Sequence, residues 1–317
     1  PKLLFFANGY QYNGKTIDCK DKVISILDQL PSIEQTIMIN HYGDESISLN
    51  GKNLSWDEIM DSSDTKEINF ESLPFNHPLY IMYSSGTTGK PKSIVHSAGG
   101  TLIQHKKELI LHSNLQKGDS IFYFTTCGWM MWNWLISALA GGTTIVLYEG
   151  NPGYPDMGAM WRMAGEFDVS CFGTSAAFIE AGIRGNVSPR KLVDVAGIKS
   201  ILSTGAPLSA NGFRWIHKEV GEHIRISSIS GGTDIVSCFV LGNPLLPVYA
   251  GEIQCAGLGM DIAAFSHDGH ELVGQKGELV CRKPFPSMPI SFWNDPDGTK
   301  YFSAYFEKYP GVWCHGD

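Results

Sequence analysis

A basic surplus, a long apolar run and paired cysteines are all missing from this chain, and each absence excludes a class of function. Lysine and arginine number 24 against 32 aspartates and glutamates, a net charge of −8. That leaves no electrostatic footprint for nucleic acid. No apolar run reaches the ~20 residues that span a bilayer; the nearest, 129–140, is shorter and carries Asn133. The seven cysteines (Cys19, Cys127, Cys171, Cys238, Cys255, Cys281 and Cys314) are odd in number and scattered, and no pair has metal-ligand spacing. With no signal peptide visible, a reducing, cytoplasmic setting is expected. There is no internal repeat and no low-complexity segment. The chain opens on Pro1 rather than Met and stops at Asp317, and it is read as a fragment.

What remains is an ordinary globular composition, 43% hydrophobic and 18% charged over 317 residues, enough for two packed units. One stretch stands out chemically: Tyr83-Ser84-Ser85-Gly86-Thr87-Thr88-Gly89-Lys90-Pro91-Lys92. It follows an apolar run at 79–82 that reads as a buried strand. Glycines let backbone N–H groups approach phosphate oxygens, hydroxyls donate hydrogen bonds, and lysines add positive charge. Pro91 removes a donor and prevents the loop from running on as helix. The Walker A loop has four residues between its glycines and a Ser or Thr after its Lys. Here only Thr87 and Thr88 separate Gly86 from Gly89, and Pro91 follows Lys90. A hydrolytic P-loop domain is therefore not expected.

Taken in order, the chain alternates strand and helix patterns. Residues 3–7 and 36–39 read as strands, with Val23, Ile24, Leu27 and Leu30 at helical spacing between them and Pro31 as a stop. Such alternation builds a parallel sheet. Tyr10, Asn13, Gly14 and Lys15 mark a turn, and 56–59 a helical turn within the polar stretch 43–71. A helix is expected over 98–111, with His96, His105 and His112 read as solvated or capping residues. A strand at 120–125 precedes Cys127-Gly128-Trp129-Met130-Met131-Trp132-Asn133-Trp134, which is either a core helix or the lining of an apolar acyl pocket. Strands are expected at 143–148, 169–172, 198–203 and 225–229, and Ser209 is a natural N-cap for a helix through Val220. From Asn243 onward glycine and proline punctuate short runs at 261–265 and 277–281, as in a small antiparallel unit.

The 83–92 loop resembles, nearly letter for letter, the phosphate loop of adenylate-forming enzymes, the superfamily of acyl-CoA synthetases, luciferases and peptide-synthetase adenylation domains. Farther on, Ser228-Ile229-Ser230-Gly231-Gly232-Thr233-Asp234 resembles the family's strand end followed by a Thr and an acidic residue. The resemblance implies that Thr233 bonds the α-phosphate and Asp234 holds Mg²⁺, with Asp where the family usually has Glu. Carboxylate attack on phosphorus gathers negative charge, which donors and a divalent ion must offset. Gly205-Ala206-Pro207 is similar to the turn lying against adenine, and Asp317, closing Trp313-Cys314-His315-Gly316-Asp317, to the residue that accepts both ribose hydroxyls. Longer matches at 122–152 and 292–317 are similar to the acetyl-CoA synthetase branch, and within it to enzymes that activate acetoacetate.

The resemblance implies an α/β fold: parallel sheets flanked by helices over 1–242, incomplete at the N-terminus, then a small antiparallel β unit over 243–317. This would be the N-terminal domain of an adenylate-forming enzyme, with the lysine-bearing C-terminal domain missing. The implied reaction activates acetoacetate with ATP and transfers it to CoA, with Mg²⁺ as cofactor, and the piece alone is not expected to turn over. Ser84, Ser85, Gly86, Thr87, Thr88, Gly89, Lys90 and Lys92 would handle phosphates. Trp129 and Gly231 are pocket candidates. Acetyl-CoA synthetases place a Trp at the Gly231 position, so the glycine either opens space for a four-carbon acid or serves backbone conformation only. A short- or medium-chain acyl-CoA ligase, or a non-catalytic nucleotide-binding protein, are the alternatives.

Overall fold

A computed structural model describes residues 1–42, 53–62, 67–84 and 91–316. The chain divides into two compact units, one of Pro1–Glu71 with Tyr148–Ala159, the other of Ser72–Leu147 with Met160–Asp317.

In the first unit, strands Leu3–Ala7, Gln35–Ile39 and Asn53–Ser55 form a parallel sheet. The helix Lys20–Gln29 lies between the first two strands in sequence and packs Val23 against Phe6 and Met38. Strand alternation sends Phe6 inward while Leu3 and Phe5 stay exposed. Asn13 and Gly14, both at positive φ (53° and 71°), close the hairpin of Gly9–Tyr12 and Lys15–Asp18. The turn expected at 56–59 is the helix Trp56–Asp61, started by a capping box between Ser55 and Glu58.

The second unit is built on a five-stranded parallel sheet. Its spatial order is Arg225–Ser228, Ser200–Thr204, Cys171–Ser175, Ser120–Tyr123 and Thr144–Val146. Ile121, Phe172 and Ile201 have no exposed surface, as expected of strands covered on both faces. Helices Met130–Ile136, Ala176–Arg184 and Ala210–Glu219 follow strands of this sheet. Ser209 accepts from Gly212 N–H at 3.0 Å, the N-cap expected from the sequence. The tryptophan run is core in the main: Met130, Met131, Trp134 and Leu135 are buried.

Three antiparallel sheets complete this unit, and two expectations change here. The run at 79–82 is not a buried strand. It lies in Pro78–Ser84, the edge strand of a sheet with Lys92–Ser97 and Ser291–Phe292, where Leu79 is 48% and Ile81 41% exposed. Nor does the chain divide at 242/243. The four-stranded antiparallel sheet Glu271–Leu272, Ile262–Phe265, Glu278–Cys281, Trp313–Cys314 does lie beyond that point. However, Ser237–Leu241 pairs with Cys255–Ala256, and Ser291–Phe292 with Lys92–Ser97, so the segment is woven into the same unit.

Candidate active site

Open parallel sheets present ligands at the carboxyl ends of their strands, and two of the expected nucleotide segments meet at that edge. Strand Ser200–Thr204 runs into Gly205 at φ +87°, with Ala206 and Pro207 exposed. The Thr204 hydroxyl donates to Ile229 O at 2.9 Å and Ile229 N–H to Ser203 O at 2.8 Å. These bonds fasten the Gly205-Ala206-Pro207 turn beside Ser228, Ile229 and Ser230.

The chain then enters a hairpin of Ser230–Gly232 and Ser237–Leu241 whose turn carries Thr233 and Asp234. Ile235 and Val236, both 0% exposed, anchor the turn in the core. Val236 sits at φ +47°, a conformation a β-branched residue rarely adopts, so burial and the bond from Val236 N–H to Thr233 O must hold it. Gly231 is required by close approach rather than by positive φ. A Cβ there would lie 2.0 Å from Ser237 O and 2.6 Å from Cys238 Cα. The opening that an absent indole would leave is therefore not what this glycine provides: its Cβ direction is filled by the facing strand.

Asp234 is 8% exposed and receives two donors on one oxygen. Lys92 Nζ pairs with Oδ1 through a short contact, and Tyr305 Oη donates to the same Oδ1 at 2.5 Å. Burial works to raise the Asp234 carboxyl, but the Lys92 and Tyr305 hydrogen bonds and the Lys92 charge outweigh it and hold it below its ordinary value. The carboxylate is thus ionised. Burial first, then the neighbouring Asp234 charge, pushes the Tyr305 phenol far up, so it remains a donor. Lys92 faces Ser84 across its strand pair, and the Ser84 hydroxyl is buried with no hydrogen-bond partner among the described residues.

Thr233 is positioned from behind. His96, 1% exposed on strand Lys92–Ser97, donates from Nε2 to Thr233 O at 2.9 Å. Burial pushes its imidazole down to about 4 despite the Thr233 bond and the Asp234 charge, so the ring is neutral. Between pH 6.5 and about 4 the unfolded chain takes up a proton here and the folded chain does not, so stability is lost as pH falls through that window. The loss attributable to His96 is roughly 3 kcal/mol. Melting curves of wild type and His96→Gln across that window check it, the variant showing the shallower dependence. Ionised carboxylates such as Asp234 lose their contribution only at lower pH.

His105 and His112 follow the same logic. His105 Nε2 lies 2.5 Å from Val236 O, while His112 Nδ1 lies 2.7 Å from Gly242 O and its Nε2 accepts from Leu258 N–H at 3.0 Å. Burial lowers both imidazoles. None of the three histidines is solvated or capping, as the sequence suggested. Their seven-residue spacing places His105 and His112 on one helix face, a signal that pointed to shared burial.

The expected helix at 98–111 is Ala98–Lys106 continued as a π-helical turn, Lys107–His112. Such turns recur at functional sites, and this one presents Glu108, which is 0% exposed. Its carboxylate accepts from Ser237 Oγ (2.5 Å), Cys238 N–H (3.2 Å), Gln104 Nε2 (3.3 Å) and Trp134 Nε1 (2.9 Å). The Thr233–Asp234 hairpin is thereby tied to the tryptophan helix. Trp129 precedes that helix, half-buried and edge-on to Tyr123 at 6.2 Å. Asp317 and the loop residues Ser85, Gly86, Thr87, Thr88, Gly89 and Lys90 lie outside the described residues. His315 lies nearby in sequence, with Gly232 close enough that a Cβ there would stand 3.3 Å from the imidazole. His96, Glu108 and Tyr305 are the members that sequence reasoning missed.

Comparison with known proteins matches this geometry. The model of the AMP-binding enzyme family matches residues 1–288. The chain is 48% identical over 320 residues to acetoacetyl-coenzyme A synthetase of Rhizobium meliloti (strain 1021), across 100% of this chain and 49% of that protein. It is 43% identical over 323 residues to acetoacetyl-CoA synthetase of Gallus gallus, across 100% of this chain and 48% of that one. A solved structure, acetoacetyl-CoA synthetase from Streptomyces lividans, superposes with a TM-score of 0.94 at 46% identity, covering 100% of this chain and 49% of the other. The chain spans about half the length of the curated relatives it matches. With nine-tenths of the residues under one family model, and the Thr-acid hairpin set beside the carboxyl edge of its parallel sheet, the chain belongs to the AMP-binding enzyme family.

Proposed function

We propose that the full-length protein is an acid–thiol ligase that activates acetoacetate. A carboxylate oxygen of the acid attacks the α-phosphorus of ATP and pyrophosphate leaves, giving acetoacetyl-adenylate. The thiol of CoA then attacks the acyl carbon and AMP leaves. The observation that carries the reading is the likeness to acetoacetyl-CoA synthetases across all 317 residues. The identity of the acid rests on that likeness and not on Gly231.

The site residues divide into distinct roles. Lys92 brings an ammonium to the phosphates from the end of the 83–92 loop, and the Thr233 hydroxyl bonds the α-phosphate. Ser84 to Lys90 supply donors to the β- and γ-phosphates. Gly205, Ala206 and Pro207 lie along the base, while Asp317 takes the ribose hydroxyls. Trp129 borders the acyl site. Among the described residues no group of three or more His, Cys, Asp or Glu could hold a metal ion. A lone ionised carboxylate does fit Mg²⁺, which is commonly bound through one or two carboxylates together with substrate phosphates and water. Asp234 would hold it, and the bound ion would screen the phosphate charge. The reaction is read as cytoplasmic.

The test is acid-dependent exchange of labelled pyrophosphate into ATP by the full-length protein, ranked across acetate, acetoacetate, butyrate and hexanoate. Acetoacetate is expected to lead. A hexanoate maximum would point to a medium-chain ligase, and no exchange with any acid would reject ligase chemistry.

A further inference from the structure

Tyr305 is the last residue of the helix Thr299–Tyr305 and is 1% exposed. Its ring stacks on Trp313 at 3.7 Å and 15°, with Phe292 edge-on at 5.6 Å. The helix start is fixed by Asp295, whose carboxylate accepts from Lys300 N–H (3.1 Å) and Tyr301 N–H (2.9 Å). A ring clamped in this way has a single orientation, and it performs two tasks. Its hydroxyl donates to Asp234 Oδ1 at 2.5 Å, and its face lies 5.0 Å from Lys92 Nζ.

Among the described residues the hydrogen bonds from Lys92 and Tyr305 both end on Oδ1 of Asp234, and His315 adds a favourable charge nearby. That arrangement restricts rotation of the carboxylate. Lys92 is long and flexible and would otherwise sample many rotamers; the ring face, by cation–π attraction, confines it beside the same carboxylate. One phenol therefore holds an acid and a base that come from segments 142 residues apart.

We propose that Tyr305 is a positioning residue for adenylation: it holds Oδ1 of Asp234 and seats the Lys92 ammonium on its ring, and so fixes the carboxylate that would hold a phosphate-bound cation. The proposal rests on the ligase reading above. Preorganised charge of this kind acts on the step in which phosphate charge builds up. Attack of a thiol on a finished acyl-adenylate makes no such demand, so the two half-reactions separate a positioning role from a structural one.

The experiment uses the full-length protein, Tyr305→Phe, and Tyr301→Phe as a control. Tyr301 belongs to the same ring cluster, 5.4 Å from Tyr305, and its hydroxyl does not bond Asp234. Three readouts are compared: pyrophosphate exchange, thioester formation from synthetic acetoacetyl-adenylate and CoA, and calorimetric binding of a non-hydrolysable ATP analogue across a Mg²⁺ series. Tyr305→Phe is expected to slow exchange about ten- to a hundredfold, the value of a hydrogen bond to a charged group. The Mg²⁺ concentration for half-maximal analogue binding should rise and thioester formation should be unchanged, while the melting temperature falls modestly because a buried hydrogen bond to a carboxylate is lost. Tyr301→Phe should match wild type in all three. Equal losses in both half-reactions, or an unchanged Mg²⁺ dependence, would overturn the proposal. Absence of exchange in the wild-type protein would count against the ligase reading alone, since the calorimetric arm still decides the role of Tyr305.

Discussion

Asp234→Asn in the full-length protein is expected to slow acid-dependent pyrophosphate exchange by roughly a hundred- to a thousandfold, the range seen when one preorganised electrostatic contact is removed from a reacting centre. Asparagine keeps the shape of the side chain, and its Oδ1 can still accept from Tyr305 and Lys92. What it removes is the charge. Lys92 loses its counter-ion but remains 27% exposed, so water can solvate the ammonium and the hairpin should stay folded. Binding of a nucleotide without Mg²⁺ should therefore persist while its strengthening by Mg²⁺ disappears, a separation calorimetry can read. A variant retaining exchange within about tenfold would make Asp234 a structural partner of Lys92 and nothing more. Asp234→Glu is informative in the other direction. The family usually has Glu at this position, yet here Lys92 and Tyr305 are gathered around the shorter residue. The longer chain would push its carboxylate past both donors, so activity should fall rather than rise.

The parts of this molecule that were legible in the sequence are those decided locally. Ser209 caps the helix Ala210–Glu219 because a serine before an apolar-periodic run satisfies that helix's own N–H groups. Asn13 and Gly14 form their turn because few other residues accept positive φ at adjacent positions. Strand Ser200–Thr204 and the turn after it were likewise legible locally, from Ile198, Ile201 and Leu202 followed by Gly205-Ala206-Pro207. The misread parts are those decided by partners far along the chain. His96 reads as a solvated or capping histidine, yet it bonds Thr233 O across 137 residues. His105 and His112 bond carbonyls 131 and 130 residues away. Tyr305 was visible only as one aromatic among many, because the carboxylate it holds lies 71 residues upstream. The exposure of Pro78–Ser84 depends on its position as the outer strand of its sheet, and no apolar count reveals which strand will be outermost.

Gly231→Ala should destabilise the protein severely and without regard to substrate. The added Cβ would stand 2.0 Å from Ser237 O, and the neighbouring Cys238 Cα at 2.6 Å leaves no route aside. Both are backbone atoms of the facing strand, and that strand is held by Glu108 through Ser237 and Cys238. Moving it would break buried bonds to a carboxylate, so relief costs as much as the clash. Overpacking into a tight site costs about 1–3 kcal/mol and sometimes more, and this site should fall at the upper end. A loss of about 3 kcal/mol corresponds to a melting temperature lower by roughly 6–12 °C in a domain of this size. Gly232→Ala supplies the contrast: its Cβ would stand 3.3 Å from the His315 ring and an ordinary 3.9 Å from Asp234 N, and a side chain can give way where a strand cannot. The same geometry governs Gly231→Trp. Its first carbon meets the same carbonyl, so the hairpin carrying Thr233 and Asp234 must shift before any indole reaches an acyl pocket. Both variants should therefore lose kcat/KM for acetate and acetoacetate in the same proportion. Should Gly231→Ala keep its melting temperature while Gly231→Trp selectively excludes acetoacetate, the strands must be able to part, and the glycine would set the size of the acid after all.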